Sequence, residues 1–449
     1  MSNKNAISQF AEGSVPKTVL SNILPSIAAM IMVLIYNLAD TFFIGQTHND
    51  YMVAAVSLAT PVYLIFMAFG SIFGMGGTSL ISRSLGANKK EYAKKVSSFC
   101  MWSCIAVGAV CSIVMWSIMD KMVLWLGASE GTITYTKTYL NIVTIGGIFS
   151  LISTCYSNVI RAEGKSNTAM IGSIIGNLLN IILDPIMISG LNWGIAGAAI
   201  ATVIGNGVSA LFYIIYLCSG KSSLCIGLRY FSMKNGIVRG VLAIGIPASL
   251  GSLLMSVSSI FTNALMAQYG DLSVASYGVA AKINMVTGLA GIGVGQGVQP
   301  ILGYCYGAKL KKRFISTLKF SMICGLIICL VMTVLCFIFT GTIVNWFLTD
   351  KNALSTGITF SRIMMSTGWL FGIFYVLINA LQAMGSATPS LIVSISRQGL
   401  IYIPLIFIMN ITIGMNGLVW AQPVADITSL ALVVVLLVRE MKKTDSSFN

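Results

Sequence analysis

Polar residues are sparse along this chain and come in short clusters, with long apolar runs between them. Residues 96–119 hold no charge, and 320–349 hold none either. Each run is longer than the roughly 20 residues a helix needs to cross a bilayer. The pattern predicts twelve spans, at about 18–44, 52–81, 96–119, 134–160, 169–188, 195–218, 241–268, 274–304, 316–343, 357–381, 390–411 and 418–438. No stretch is left over for a soluble domain, and the polar first 16 residues lack the layout of a cleaved signal peptide.

The polar clusters repeat. Gly86-Ala-Asn-Lys-Lys returns as Gly307-Ala-Lys-Leu-Lys-Lys, and Gly74-Met-Gly76 as Gly295-Gln-Gly297, both at an offset of 221. Gly164, which closes Arg161-Ala-Glu-Gly164, answers to Gly385 at the same offset, and Pro25 answers to Pro247 at 222. A steady offset across several segments predicts two six-span halves. Six is even, so both halves enter the membrane the same way round, as parallel repeats of the transporter kind. The expected fold is therefore an all-α integral membrane protein of twelve transmembrane helices in two parallel, pseudo-symmetric six-helix bundles. The expected boundaries are residues 1–218 for the first lobe, 219–240 for a cytoplasmic linker and 241–449 for the second lobe.

Composition agrees: 56% of the 449 residues are hydrophobic and 9% charged, against about 25% charged in globular proteins. The net charge of +14 raises nucleic acid as a partner, but the distribution removes it. Of 27 Lys and Arg, 21 fall on one side of the predicted membrane, counting Lys319 at the head of the ninth span, and only Lys121, Lys137 and Lys351 on the other. Positive charge favours the cytoplasm, so both termini are expected inside, in the plasma (inner) membrane. The ten cysteines are scattered and form no metal-type pair, so they read as free, buried thiols. The one histidine, His48, falls in a predicted loop, which argues against histidine catalysis and against a polytopic membrane enzyme.

The chemistry-bearing stretch is Asn177-Leu-Leu-Asn180-Ile-Ile-Leu-Asp184-Pro185. On a helix, Asn177, Asn180 and Asp184 are spaced i, i+3 and i+7 on one face. Pro185 removes the donor for the Ile181 carbonyl and is expected to kink the chain. An acid at the centre of a membrane helix costs about 2.5–3.5 kcal/mol on insertion scales, so Asp184 needs a partner. Asp40 is the other acid in such a setting in this half, and the two are expected to share one polar pocket. Of 13 acids only Asp40, Asp184 and Asp426 lie clearly inside spans. At the repeat offset Asp40 answers to Thr262 and Asp184 to Leu405, so the pair belongs to the first half alone. In the sixth span Gly194, Gly197, Ala198, Ala201 and Gly205 form a small-residue stripe for close packing. Thr202 beside it is expected to bond back to its own helix or to face the pocket.

The chain resembles the multidrug and toxic compound extrusion family, and within it the bacterial DinF-like branch. The resemblance runs over nearly the whole length. It is carried by Leu24-Pro25, Asn37-Leu-Ala-Asp40-Thr-Phe-Phe-Ile-Gly45, the segment Gly77 to Gly86, Arg161-Ala-Glu-Gly164, Asn177 to Pro185, and Gly194-Ile-Ala-Gly197-Ala-Ala. It implies a secondary antiporter that exports amphipathic, mostly cationic compounds in exchange for H⁺ or Na⁺ by alternating access. It places ion or proton coupling at Asp40, Asn180, Asp184 and Thr202, whose oxygens would also be the metal ligands if Na⁺ is the ion. The substrate cavity is expected to take Tyr36, Asn37, Asn177, Met285 and Arg397. No cofactor is expected beyond the coupling ion. The partners expected are small amphipathic cations and the lipid bilayer, with no nucleic acid and with the chain acting as a monomer. Lys282, Arg362 and Arg397 in the second half depart from a purely cation-accepting cavity. Pairing of Arg397 with Asp426 or a carbonyl would remove the conflict. Cavity-facing Arg397 and Lys282 would instead favour a flippase of lipids or lipid-linked oligosaccharides.

Overall fold

The structure, a computed structural model, describes residues 4–47, 49–348 and 350–448; His48 lies outside the described residues. Their regular structure is all helical, and twelve helices are long and apolar enough to cross a membrane: Val15–Gly45, Tyr51–Gly86, Lys90–Ser117, Ile133–Glu163, Ser166–Gly190 and Gly194–Cys218, then Ile237–Ala267, Asp271–Gly307, Lys311–Ile338, Lys351–Met384, Ala387–Ile413 and Met415–Lys443. They are called spans 1 to 12 below. They match the twelve runs expected, with most ends shifted by a few residues.

The repeat is visible in the element bounds. Lys90–Ser117 answers to Lys311–Ile338 at an offset of 221, and Val15–Gly45 to Ile237–Ala267 at 222. Two short helices that hydropathy alone merges into their neighbours, Met119–Trp125 and Thr340–Phe347, also begin at an offset of 221. The turns repeat as well. Gly164 and Gly385 both end their helices with positive φ, at 80° and 79°, a left-handed conformation that glycine reaches without steric cost.

The chain divides into two compact units: residues 1–12 with 28–245, and residues 13–27 with 246–449. This differs from the expected boundaries in two ways. The start of span 1, through Ile27, belongs with the second unit. Its glycine neighbours show why: a Cβ on Gly297 of span 8 would come within 2.7 Å of the Asn22 carbonyl, and one on Gly293 within 2.8 Å of the Ile27 Cα. The segment expected as a cytoplasmic linker, residues 219–240, is docked on the first unit. Ser98 donates to the Gly227 carbonyl (2.9 Å), Trp102 Nε1 to Ile226 (3.1 Å) and Tyr92 to Asn235 (3.0 Å). The Glu163 carboxylate, 1% exposed, accepts from the Tyr216 hydroxyl, the Ser222 hydroxyl and the Ser223 amide.

The interface that positions the polar residues of the first unit is between spans 5 and 6. A Cβ on Gly205 would lie 2.7 Å from the Gly176 carbonyl, and one on Gly197 2.6 Å from the Met187 carbonyl. The small-residue stripe thus brings the two backbones together, as expected of such faces in lipid. All ten cysteines are free. Cys218 is exposed and Cys111, Cys225 and Cys324 are half-buried, so burial holds for six of the ten.

Candidate functional site

On span 5 the buried positions include Ala169, Gly172, Gly176, Asn180 and Asp184. The row advances mostly by four residues, so it carries Asn180 and Asp184 inward but not Asn177. Asn177 lies about 60° round the helix from Asn180 but only about 20° from Asp184, seven residues on. It is half-buried. Pro185 closes the α-helical part, and the chain continues as a π-helical turn, Ile186–Gly190. The Ile186 amide turns to the Leu183 carbonyl and the Leu191 amide to Ile186 (2.8 Å). The proline is thus absorbed by a change of helical pitch, a device common at functional sites.

Close packing of spans 5 and 6 sets Asn180 Nδ2 at 3.4 Å from Thr202 Oγ1, a long hydrogen bond between residues 2% and 4% exposed. Among the described residues the Thr202 hydroxyl makes no bond to the Ala198 carbonyl one turn back, so the inward alternative holds. Tyr36 and Tyr139 both interact with the Thr202 side chain. Tyr36, Tyr63 and Tyr139 all lie in the field of the Asp40 carboxylate, and Asp184 feels that carboxylate too. Asn206, one turn beyond Thr202, donates to the Thr202 carbonyl (3.0 Å) and the Tyr63 hydroxyl (3.3 Å). Asp40, Asn180, Asp184 and Thr202 thus lie within electrostatic range of one another in the first unit, with Tyr36 near both Asp40 and Thr202.

Four acceptor oxygens of this polar centre are left without donors. Asp40 Oδ1, Asn180 Oδ1 and both Asp184 carboxylate oxygens are buried with no hydrogen-bond partner among the described residues. A buried polar oxygen without a partner costs about 1–3 kcal/mol, more if charged. The set asks for protons or a small cation. Two carboxylates, an amide oxygen and a hydroxyl suit a hard monovalent ion or a shared proton. No group of three His, Cys, Asp or Glu able to hold a metal occurs among the described residues.

Tyr63, Tyr139 and Asn206 were not singled out from sequence. Asn206 carried a signal, since it lies i+4 from Thr202 on the same face. Tyr63 and Tyr139 come from spans 2 and 4 and gave none. Asn37 is exposed and donates to its own helix at Val33 (2.8 Å), and Met285 is 41% exposed. Neither reaches the polar centre by a recorded contact.

Arg397 lies in the second unit, in a π-helical turn, Ser396–Leu400, and is 8% exposed. Its Nε bonds Asp426 Oδ1 at 2.9 Å and its Nη1 the Tyr375 hydroxyl at 3.0 Å. The Phe371 and Phe374 rings sit 4.8 Å from the guanidinium carbon, and the Tyr375 ring 5.5 Å. Gln422 and Thr367 complete the Asp426 carboxylate at 3.0 and 3.3 Å. The Arg397 charge is thus matched and enclosed. Lys282 and Arg362 are exposed, each over a phenylalanine ring, Phe347 and Phe337.

Twelve apolar spans in two repeated lobes define the class as a membrane transporter of the parallel-repeat kind. The MatE family model matches the chain twice, over residues 25–186 and 247–408, again at an offset of 222. The multidrug export protein MepA of Staphylococcus haemolyticus is 31% identical over 442 residues, covering 98% of this chain and 97% of its own. MepA of Staphylococcus aureus NCTC 8325 is 32% identical over 441 residues, with the same coverage. A solved outward-facing MATE multidrug resistance transporter superposes with a TM-score of 0.93 at 24% identity, over 98% of each chain. The chain belongs to the MatE family of multidrug and toxic compound extrusion transporters. It is a multi-pass membrane protein of a transporter family, not an enzyme.

Proposed function

We propose that this protein exports amphipathic, mostly cationic compounds across the plasma membrane in exchange for H⁺ or Na⁺. It acts as a monomer, with both termini in the cytoplasm. The observation that carries the coupling is the set of four unpartnered buried oxygens on Asp40, Asn180 and Asp184. Such a set is unstable as bare carboxylates in a membrane helix and is relieved by a bound proton or cation. The export direction and compound class rest on the multidrug export relatives. The one-sided Lys and Arg distribution supports the orientation. Enclosure of Arg397 by Asp426 favours cationic substrates over anionic lipid-linked ones, because no free arginine charge is left at that position.

The mechanism is differential binding. The coupling ion, shared between Asp40 and Asp184, offsets one of their two negative charges in one state of alternating access and is released to water in the other. It shifts the equilibrium only by its difference in affinity for the two states. Tyr36, in contact with Thr202 and in the field of Asp40, supplies an aromatic surface for a lipophilic cation next to the acid. The test is transport in proteoliposomes with pH and sodium gradients imposed separately. One gradient is expected to drive uptake of a fluorescent cationic dye, and Asp40→Asn and Asp184→Asn to abolish it. Full gradient-driven transport in both variants overturns the coupling role.

A further inference from the structure

Spans 11 and 12 meet around a cavity of about 440 Å³ that the coupling site does not use. Its volume falls in the range of about 300–1,000 Å³ typical of small-molecule sites. Its lining is divided. Pro389, Ile392 and Leu436 form an apolar wall, and Ser386, Thr388, Arg439 and Lys443 a polar rim. The wall continues onto surface facing outward from the helices, since Ile392 is 40% and Val435 63% exposed. The acid in the lining, Glu440, is engaged: it accepts from Ser386 (3.2 Å) and pairs with Lys443 (2.8 Å). Ser386 is thereby drawn away from the helix it precedes, and Ala387–Ile395 starts in the cavity wall with no side-chain cap. Arg439 has no ion-pair or hydrogen-bond partner among the described residues. The net charge of the rim is positive, and its apolar side runs onto exposed apolar helix surface.

We infer that this cavity binds the phosphodiester headgroup of an anionic phospholipid, with Arg439 and Lys443 on the phosphate and the acyl chains along Ile392 and Leu436. The charge is right for a phosphate, and the divided lining is right for an amphiphile rather than a free ion. Basic pockets between membrane helices take anionic lipid headgroups in this way. The Glu440 carboxylate does not oppose binding, because Lys443 and Ser386 already hold it. Arg439 supplies a guanidinium that no carboxylate among the described residues claims.

The experiment uses the full chain in neutral detergent, with native mass spectrometry and thermal unfolding read in parallel. The probes are phosphatidylglycerol, phosphatidylcholine and inorganic phosphate. Phosphatidylglycerol is expected to be retained and to raise the melting temperature, with phosphatidylcholine and inorganic phosphate doing neither. Arg439→Gln and Lys443→Gln should each weaken phosphatidylglycerol binding about five-fold. Thr388→Phe, which blocks the mouth and keeps both cations, should weaken it comparably, so a folding defect in the charge variants does not decide the matter. Lys89→Gln/Lys90→Gln, on another surface cluster, should not. Equal binding to wild type and to Thr388→Phe, equal loss in the Lys89/Lys90 control, or stabilisation by inorganic phosphate alone would each overturn the assignment.

Discussion

The two lobes repeat in sequence and in helix bounds, yet their polar centres are opposites. In the first lobe, buried acceptors stand without donors on Asp40, Asn180 and Asp184. In the second, the buried charges are met. Arg397 and Asp426 pair at 2.9 Å, and Tyr375, Gln422 and Thr367 close the shell. The position answering to Asp40 is Thr262, fully buried and bonded to Ser258 and Tyr402. On the proposed coupling, the first lobe is the one that would lose and regain a positive ligand. The other has settled its charges within the protein. Duplication supplied the same scaffold twice, and among the described residues the buried acids without counter-charges lie in one copy.

The comparison breaks most visibly at the acids. Asp40→Asn or Asp184→Asn should bring gradient-driven dye transport to background, while the protein melts no lower than wild type, because each change removes a carboxylate that lacks a partner. The corresponding change in the second lobe should do the reverse. Asp426→Asn leaves Arg397 charged and buried, and breaking such a pair costs about 3–5 kcal/mol. The aromatic cage around Arg397 holds the loss to about 3 kcal/mol, the lower end of that range. Thermal unfolding in detergent checks it, and Arg397→Met with Asp426→Leu should restore most of the stability.

Much of this contrast was legible before any coordinates. The spans could be read because a membrane allows few alternatives to a long apolar helix. The asymmetry of the acids could be read because a steady offset maps Asp40 onto Thr262 and Asp184 onto Leu405. The break in span 10 could not. Residues 351–365 and 371–384 are α-helical, with a 3₁₀ turn at Gly368–Leu370 between them, and no proline marks it. That break is what sends Thr367 to Asp426. Docking of residues 219–240 was also hidden, because its polar loop sequence says nothing of the Trp102 and Glu163 side chains that receive it. Asn177 shares a face with Asp184 by spacing, yet packing leaves it half-buried, which spacing alone does not reveal.

Close glycine contacts sharpen the comparison at smaller cost. A Cβ on Gly372 would fall 2.0 Å from the Gly325 carbonyl in the second lobe, and one on Gly176 2.5 Å from the Gly205 carbonyl in the first. Alanine at either position forces its helices apart, at about 2 kcal/mol. Gly372→Ala should lower the melting temperature with ion dependence unchanged. Gly176→Ala should lower it similarly and also weaken the response to the driving ion, because the same interface holds Asn180 against Thr202.

The smallest effect is expected at Thr202 and is the most specific. Its hydroxyl meets Asn180 at 3.4 Å, so little bond energy is at stake within the protein itself. If the hydroxyl also serves the coupling ion, Thr202→Ala removes one ligand, worth about 1 kcal/mol, and raises the ion concentration for half-maximal transport about five-fold. Thr202→Ser keeps the oxygen and should leave that concentration unchanged. Thr262→Ala, in the other lobe, removes a hydroxyl bonded to Tyr402 at 3.0 Å and to its own helix. It should cost similar stability and leave the ion dependence where it was. A five-fold shift at Thr262 matching that at Thr202 would mean that both lobes take part in coupling, and that Thr262, for all its satisfied bonds, shares the role the first lobe assigns to Asp40.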